Sequence, residues 1–100
     1  MRKSHRTDRI NNLLKQAISE IIQEEIMEYS PENFITVMYV IASPDLNKAE
    51  VYVSALKDLD SVVEMLNKRA PYIRHLLGQK VRGLRRLPKL IFKADEYKLL

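Results

Sequence analysis

Apolar residues first recur at Ile10, Leu13, Leu14, Ala17, Ile18, Ile21, Ile22 and Ile26. Spacings of three and four, sustained for about five turns, put them on one face of a helix, predicted over residues 8–28. Thr7 stands where an N-cap belongs, with Asp8 at the positive end of the helix dipole. Ser30-Pro31 predicts the stop, because proline lacks an amide hydrogen and restricts the residue before it. The period then changes. Phe34 to Ala42, rich in β-branched and aromatic residues, reads as a strand. Ala49 to Leu56 reads as a second, with Val51 and Val53 alternating against Glu50, Tyr52 and Ser54. Between them Ser43-Pro44-Asp45-Leu46-Asn47-Lys48 is turn chemistry, so the two should form an antiparallel hairpin. The first strand is apolar on both parities, which points to a central place in the sheet.

A helical pattern resumes at Val62, Val63, Leu66 and Ala70, with Asp58 or Asp60 available as a cap. Pro71 interrupts it, and the pattern continues through Tyr72, Ile73, Leu76, Leu77, Val81 and Leu84, with Gly83 as a natural stop. Proline is tolerated at the start of a helix and poorly in its interior, so two helices, or one kinked sharply at Ala70-Pro71, are expected. Leu87 to Phe92 reads as a final short strand with Pro88 at its start. The order α-β-β-α-kink-α-β defines an α+β fold with a three-stranded sheet packed on helices. A third strand reached by a helical crossover pairs in parallel with an earlier one, most simply the first. One hundred residues, 46% of them hydrophobic, suffice for one domain spanning 1–100 with a real core.

Composition narrows the chemistry. With no cysteine, disulfides, thiolate nucleophiles and thiol-ligated metals are excluded. Arg2, Lys3, His5 and Arg6 could open a secretory signal, but Asp8, Asn11, Asn12 and Lys15 interrupt any apolar core after them. Glu20, Glu24, Glu25 and Glu28 argue against a mitochondrial presequence. The longest apolar run, within Phe34 to Ala42, is far short of the roughly 20 residues that a membrane helix needs. A soluble cytoplasmic protein, with no membrane partner, is expected.

Charge changes the picture more than composition does. The net charge is only +4, but residues 10–64 carry ten acids against three lysines, whereas residues 65–94 carry nine Lys or Arg and no acid. Arg2, Lys3, Arg6 and Arg9 add a second positive segment against Asp8. Segregation of this kind presents a positive surface that attracts polyanions, of which nucleic acid is the commonest in a cell. A solvated charged face is the plainer alternative.

Catalytic constellations are missing. Gly78-Gln79-Lys80-Val81-Arg82-Gly83 lacks the Lys-Ser/Thr of a phosphate-binding loop and falls in a helical pattern, not after a strand. His5 and His75 have no acid at a relay or metal-ligand spacing, and Ser43, Ser54 and Ser61 have no base. No enzyme, cofactor, metal or small-molecule substrate is expected. Continued as a helix from Pro71, the chain would align Arg74, Gly78, Arg82 and Arg85 on one outer ridge, with His75, Gln79, Arg82 and Arg86 beside it. Such ridges contact successive phosphates without reading sequence. Gly78 permits close approach either of a phosphate or of another element. Tyr72 could stack on a base, but its place beside Ile73 favours the core.

These residues bring a resemblance into view. Arg6-Thr-Asp-Arg9 before the long helix, Ala42-Ser-Pro-Asp-Leu46, Ala49-Glu-Val-Tyr-Val-Ser54, Tyr72-Ile-Arg74, Leu76-Leu-Gly78 and Arg85-Arg-Leu-Pro-Lys-Leu-Ile-Phe92 leading to Asp95 occur in that order. In order and spacing the chain resembles the ribosome-binding factor A family over essentially its whole length. The resemblance implies a type II KH-like fold without the Gly-x-x-Gly loop with which ordinary KH domains clamp the nucleic-acid backbone. The family's Ala-x-Gly kink corresponds to Arg69-Ala70-Pro71, with proline in place of glycine. It further implies binding to the 30S small ribosomal subunit near the ends of its 16S rRNA, a part in late maturation and rRNA processing, and growth in the cold. RNA contacts are then expected from Lys3, Arg6, Arg9, Lys68, Arg69, Arg74, Lys80, Arg82, Arg85 and Arg86, on a monomer, with the kink at Ala70 and Pro71. The rival readings are a module whose basic face binds an acidic protein, a duplex-DNA binder and, last, a small hydrolase.

Overall fold

The computed structural model describes residues 5–27 and 32–96. Its elements are α1 (His5–Ile21), β1 (Ile35–Ala42), β2 (Lys48–Ala55), α2 (Leu59–Lys68), α3 (Ala70–Lys80) and β3 (Lys89–Ala94). The Ser30-Pro31 stop lies outside the described residues. Helix α1 already includes Thr7, so this residue is not its cap, while Asp8 stays in the first turn where the dipole favours it. After Ile21 the chain widens into a π-helical turn, Ile22–Ile26. The apolar series explains the widening. Leu14, Ile18, Ile22 and Ile26 are four apart and all buried; at 100° per residue such a series drifts about 40° per step, and a wider turn slows the drift.

Three strands make one sheet in the order β1-β2-β3. β1 and β2 are antiparallel and β3 runs parallel to β2. This is the α-β-β-α-kink-α-β arrangement of the expected α+β, type II KH-like fold, with one correction: β2 is central and β1 is an edge. The double-parity apolar pattern of β1 has another cause. A bulge shifts the register between Val37 and Tyr39, so that Ile35 and Val37 before it and Val40 and Ala42 after it all face inward. The remaining apolar residues, Met38, Tyr39 and Ile41, face outward and are 40%, 42% and 49% exposed.

All helices lie on the inner face, α1 against β1 and α3, and α2 and α3 against β3. The molecule is 17 Å in its thinnest dimension, the depth of one helix layer on one sheet, so the other sheet face meets solvent. The core is a single cluster in which Leu14, Ile18, Val51, Val53, Leu66, Ile73 and Leu77 are at most 1% exposed. Asn11 Oδ1 accepts the Ala42 amide at 3.0 Å and ties α1 to the end of β1. β2 ends at Ala55, leaving Leu56 69% exposed. The turn into α2 is held by an asparagine and not by an aspartate cap. Asn33 bonds the Leu56 and Lys57 amides and the Lys57 carbonyl, while Asp58, at φ 54°, makes no side-chain cap bond.

Candidate nucleic-acid interface

The break between α2 and α3 falls at one residue. Arg69 sits at φ −96°, ψ 2°, in the sparsely populated bridge region. Its amide reaches the Met65 and Leu66 carbonyls at 3.1 Å, and its carbonyl accepts the Ile73 amide at 2.9 Å. Pro71 takes the first turn of α3, where no intrahelical donor is needed. Ala70 is buried under the break, and Lys68, Arg69 and Pro71 stand exposed on it. Proline therefore stands here at a position suited to it.

Beside the break is a concavity of about 530 Å³, lined by Asn67, Ala70, Pro71, Arg74, Lys89, Leu90 and Ile91. It lies along the outer edge of β3. Asn67 closes part of that edge, donating to the Phe92 carbonyl at 2.9 Å and accepting the Phe92 amide at 2.8 Å. The cleft thus has an apolar floor and cationic rims, Arg74 on one side and Lys89 on the other.

The expected arginine ridges do not form. Helix α3 ends at Lys80; Val81 turns extended (ψ 125°) with its amide on the Leu77 carbonyl, and Gly83 takes φ 89°. Arg82, Arg85 and Arg86 therefore lie in a loop, not on a helix. The loop folds back along α3: Arg74 donates to the Leu87 and Pro88 carbonyls at 2.7 and 3.1 Å. One turn on, a Cβ at Gly78 would stand 2.8 Å from Leu87 Cδ1. Between the two open readings of Gly78, the geometry favours close packing. Val81 and Leu84 keep a helical apolar spacing because the loop crosses the same core.

Arg86 donates to Asn47 Oδ1 in the hairpin loop, and the Lys89 amide donates to the Asn47 carbonyl at 2.9 Å. Through Asn47 the kink cleft adjoins a second concavity of about 420 Å³, between Pro44, Asp45, Leu46 and the pair Arg85 and Arg86. Asp45 accepts from the Asn47 amide at 3.0 Å and from Ser43 Oγ at 2.8 Å, which with the nearby Arg86 hold its carboxyl below the usual range.

Of the expected contacts, Arg74 lines the cleft, Lys68 and Arg69 are exposed at the break next to it in sequence, and Arg82, Arg85 and Arg86 share the loop after α3. Lys80 turns elsewhere. It pairs with Glu20 at 3.3 Å and Glu24 at 3.4 Å on α1, and its ammonium pKa is raised, first by the Glu20 hydrogen bond. Arg9 is exposed on α1 beside a separate concavity with Leu13. Lys3 and the Arg6 side chain lie outside the described residues. Tyr72 is not in the core: it is 45% exposed, with its hydroxyl 3.2 Å from Glu25 Oε1. Sequence reasoning missed Lys89 and Asn67, whose only signal was a lysine and an asparagine flanking apolar runs. Among the described residues no three His, Asp or Glu side chains cluster as metal ligands, and no helix is long and apolar enough to cross a membrane.

A three-stranded sheet with a parallel final pair, helices on one face and a basic cleft at a helix break define a small KH-like α+β protein. The chain belongs to the ribosome-binding factor A family, whose model matches residues 6–98. It is 39% identical over 95 residues to a ribosome-binding factor A of Desulfitobacterium hafniense, covering 91% of this chain and 74% of that protein. The crystal structure of ribosome-binding factor A from Thermus thermophilus superposes with a TM-score of 0.76 at 29% identity, over 88% of this chain and 94% of that one. A homology model of the Thermus thermophilus protein, fitted into a cryo-EM map of a 30S complex, gives 0.70 at 31% identity, over 92% and 93%.

Proposed function

We propose that this chain binds the 30S small ribosomal subunit through its 16S rRNA and assists late maturation and rRNA processing without catalysing a reaction. The observation that carries this reading is the pair of concavities beside the helix break, one rimmed by Arg74 and Lys89 over Ala70, Pro71, Leu90 and Ile91, the other by Arg85 and Arg86. The fitted Thermus thermophilus relative supports the choice of partner. Phosphates meet the cationic rims, and an unpaired nucleotide enters the cleft along the β3 edge. The work is done by occupancy, as a ligand that binds one rRNA conformation more tightly than another shifts the population toward it. Such a protein works in the cytoplasm, where subunits assemble, as a monomer.

Co-sedimentation with purified small subunits, large subunits and joined ribosomes across a salt series tests the reading. Wild-type protein is expected to pellet with small subunits alone, and to bind immature ones more tightly than mature ones. The companion variant reverses Arg69 and Lys89 to glutamate and spares Arg74, whose guanidinium holds the loop to α3. That variant should lose binding with an unchanged thermal midpoint. Equal binding to every particle, lost by about 0.2 M salt, would reduce the interaction to unspecific phosphate attraction. Equal affinity for immature and mature subunits would defeat the occupancy mechanism.

A further inference from the structure

The sheet face away from the helices is unaccounted for by the cleft. Tyr39 of β1 and Tyr52 of β2 are direct cross-strand partners on it, with ring centroids 4.6 Å apart and planes within 15°. The inner ring is clamped. The Tyr52 hydroxyl donates to Glu50 Oε1 at 2.9 Å, and Glu50 Oε2 pairs with Lys93 Nζ at 3.2 Å. Lys93 is also the neighbour of Tyr52 on the β3 side. The stack is therefore fixed at its β3 end and stops at Tyr39, 42% exposed on the edge strand. A third ring laid on Tyr39 would extend the stack with little further ordering of the protein. Met38 and Ile41 flank it, and Ser54 Oγ donates to Met38 Sδ at 3.5 Å.

The charge on this face has one sign in excess. Within β2 and β3, Lys48, Lys89 and Lys93 point outward against the carboxylate of Glu50, and Lys48 and Lys89 are register partners. Lys89 belongs to the rim of the kink cleft as well. The open face and the cleft thus meet at one lysine, and β1 lies only about 10 Å across the sheet from β3. A flat, pre-positioned aromatic pair beside lysines that continue from a phosphate-binding surface fits a base with its backbone. An apolar protein surface would use Met38 and Ile41 but would have no need of the clamped rings or the lysine excess.

We infer that the open sheet face is a second RNA contact, at which an unpaired base of single-stranded RNA stacks on Tyr39 while its phosphates reach Lys48 and Lys89. The inference rests on the reading of the chain as an RNA binder.

The test is a titration of the full chain with hexauridylate, followed by the aromatic resonances of Tyr39 and Tyr52, the amide resonances of Ala70 and Leu90, and anisotropy of the labelled RNA. The Tyr39 ring resonances are expected to move upfield, in the wild type and also in an Arg69→Glu variant with a weakened cleft. Tyr39→Phe should bind as the wild type does. Tyr39→Leu, which keeps apolar bulk but no ring, should bind about tenfold more weakly with an unchanged thermal midpoint. Shifts confined to Ala70 and Leu90, with Tyr39→Leu binding normally, would overturn the second contact and leave the cleft reading intact. No shift at either place would remove both. Tyr39 resonances that respond to RNA-free small-subunit proteins and not to hexauridylate would overturn it in favour of protein docking.

Discussion

Val51 and Tyr52 are neighbours in β2 and share its backbone geometry, yet they have opposite surroundings. Val51 is fully buried under the helices, with Ala49, Val53 and Phe92 beside it at 0 to 1% exposure. Tyr52 stands on the uncovered face, stacked on Tyr39 and bonded to Glu50. The covered face is aliphatic apart from Phe92 and its contacts are all packing. The open face carries aromatic rings, lysines and a carboxylate in specific polar geometry. Removal of apolar surface from water explains the first set of residues and leaves the second without a reason in stability alone.

The largest expected effect breaks the covered side. Phe92→Ala empties a site that is 1% exposed and should destabilise the protein by about 3–5 kcal/mol. Tyr39→Ala, on the other face, should cost under about 1 kcal/mol, the worth of one cross-strand pair. Urea unfolding of both variants measures the contrast; similar losses would mean that the open face is a second core.

A smaller effect is expected at the β3 edge, where the two faces meet. Asn67→Ala strands the Phe92 amide and carbonyl that the side chain now satisfies, a loss of about 1–3 kcal/mol. Hydrogen exchange should show it first at the Phe92 amide. Unchanged protection there would show that the edge is held by packing alone.

The smallest effect sharpens the open side. The Glu50 carboxyl is held below its ordinary pKa, first by the Tyr52 hydroxyl and then by Lys93. A carboxylate depressed in the folded state stabilises the fold above its unfolded pKa, and this contribution is lost as pH falls through the folded value. Stability of Glu50→Gln should therefore fall less steeply than that of the wild type between about pH 6 and pH 3. Acid-unfolding curves of identical slope would show that the Tyr52–Glu50–Lys93 clamp contributes nothing to the fold.

Much of the architecture was legible because period reports burial locally. The five-turn isoleucine face, the hairpin and the break at Ala70-Pro71 each follow from residues close together in the chain. The errors came where distant segments compete for the same residue. The apolar residues of β1 occupy both parities, a pattern that points to the sheet centre, but the bulge at Val37–Tyr39 turns three of the seven outward and β1 is an edge. The arginine ridges failed because Val81 and Leu84 keep helical spacing in a loop. Lys80 was expected on RNA, and its partners Glu20 and Glu24 are some sixty residues away in the chain.

The sequence by itself determined the element order, the break, the segregation of charge and the family, since each is written in spacing or in short runs of residue types. Tertiary structure alone decided that Arg74 both braces a loop and rims the cleft, which strand is central and which tyrosines stack. Those outcomes depend on pairing partners far apart in the chain, and the pattern within any one segment is compatible with several of them.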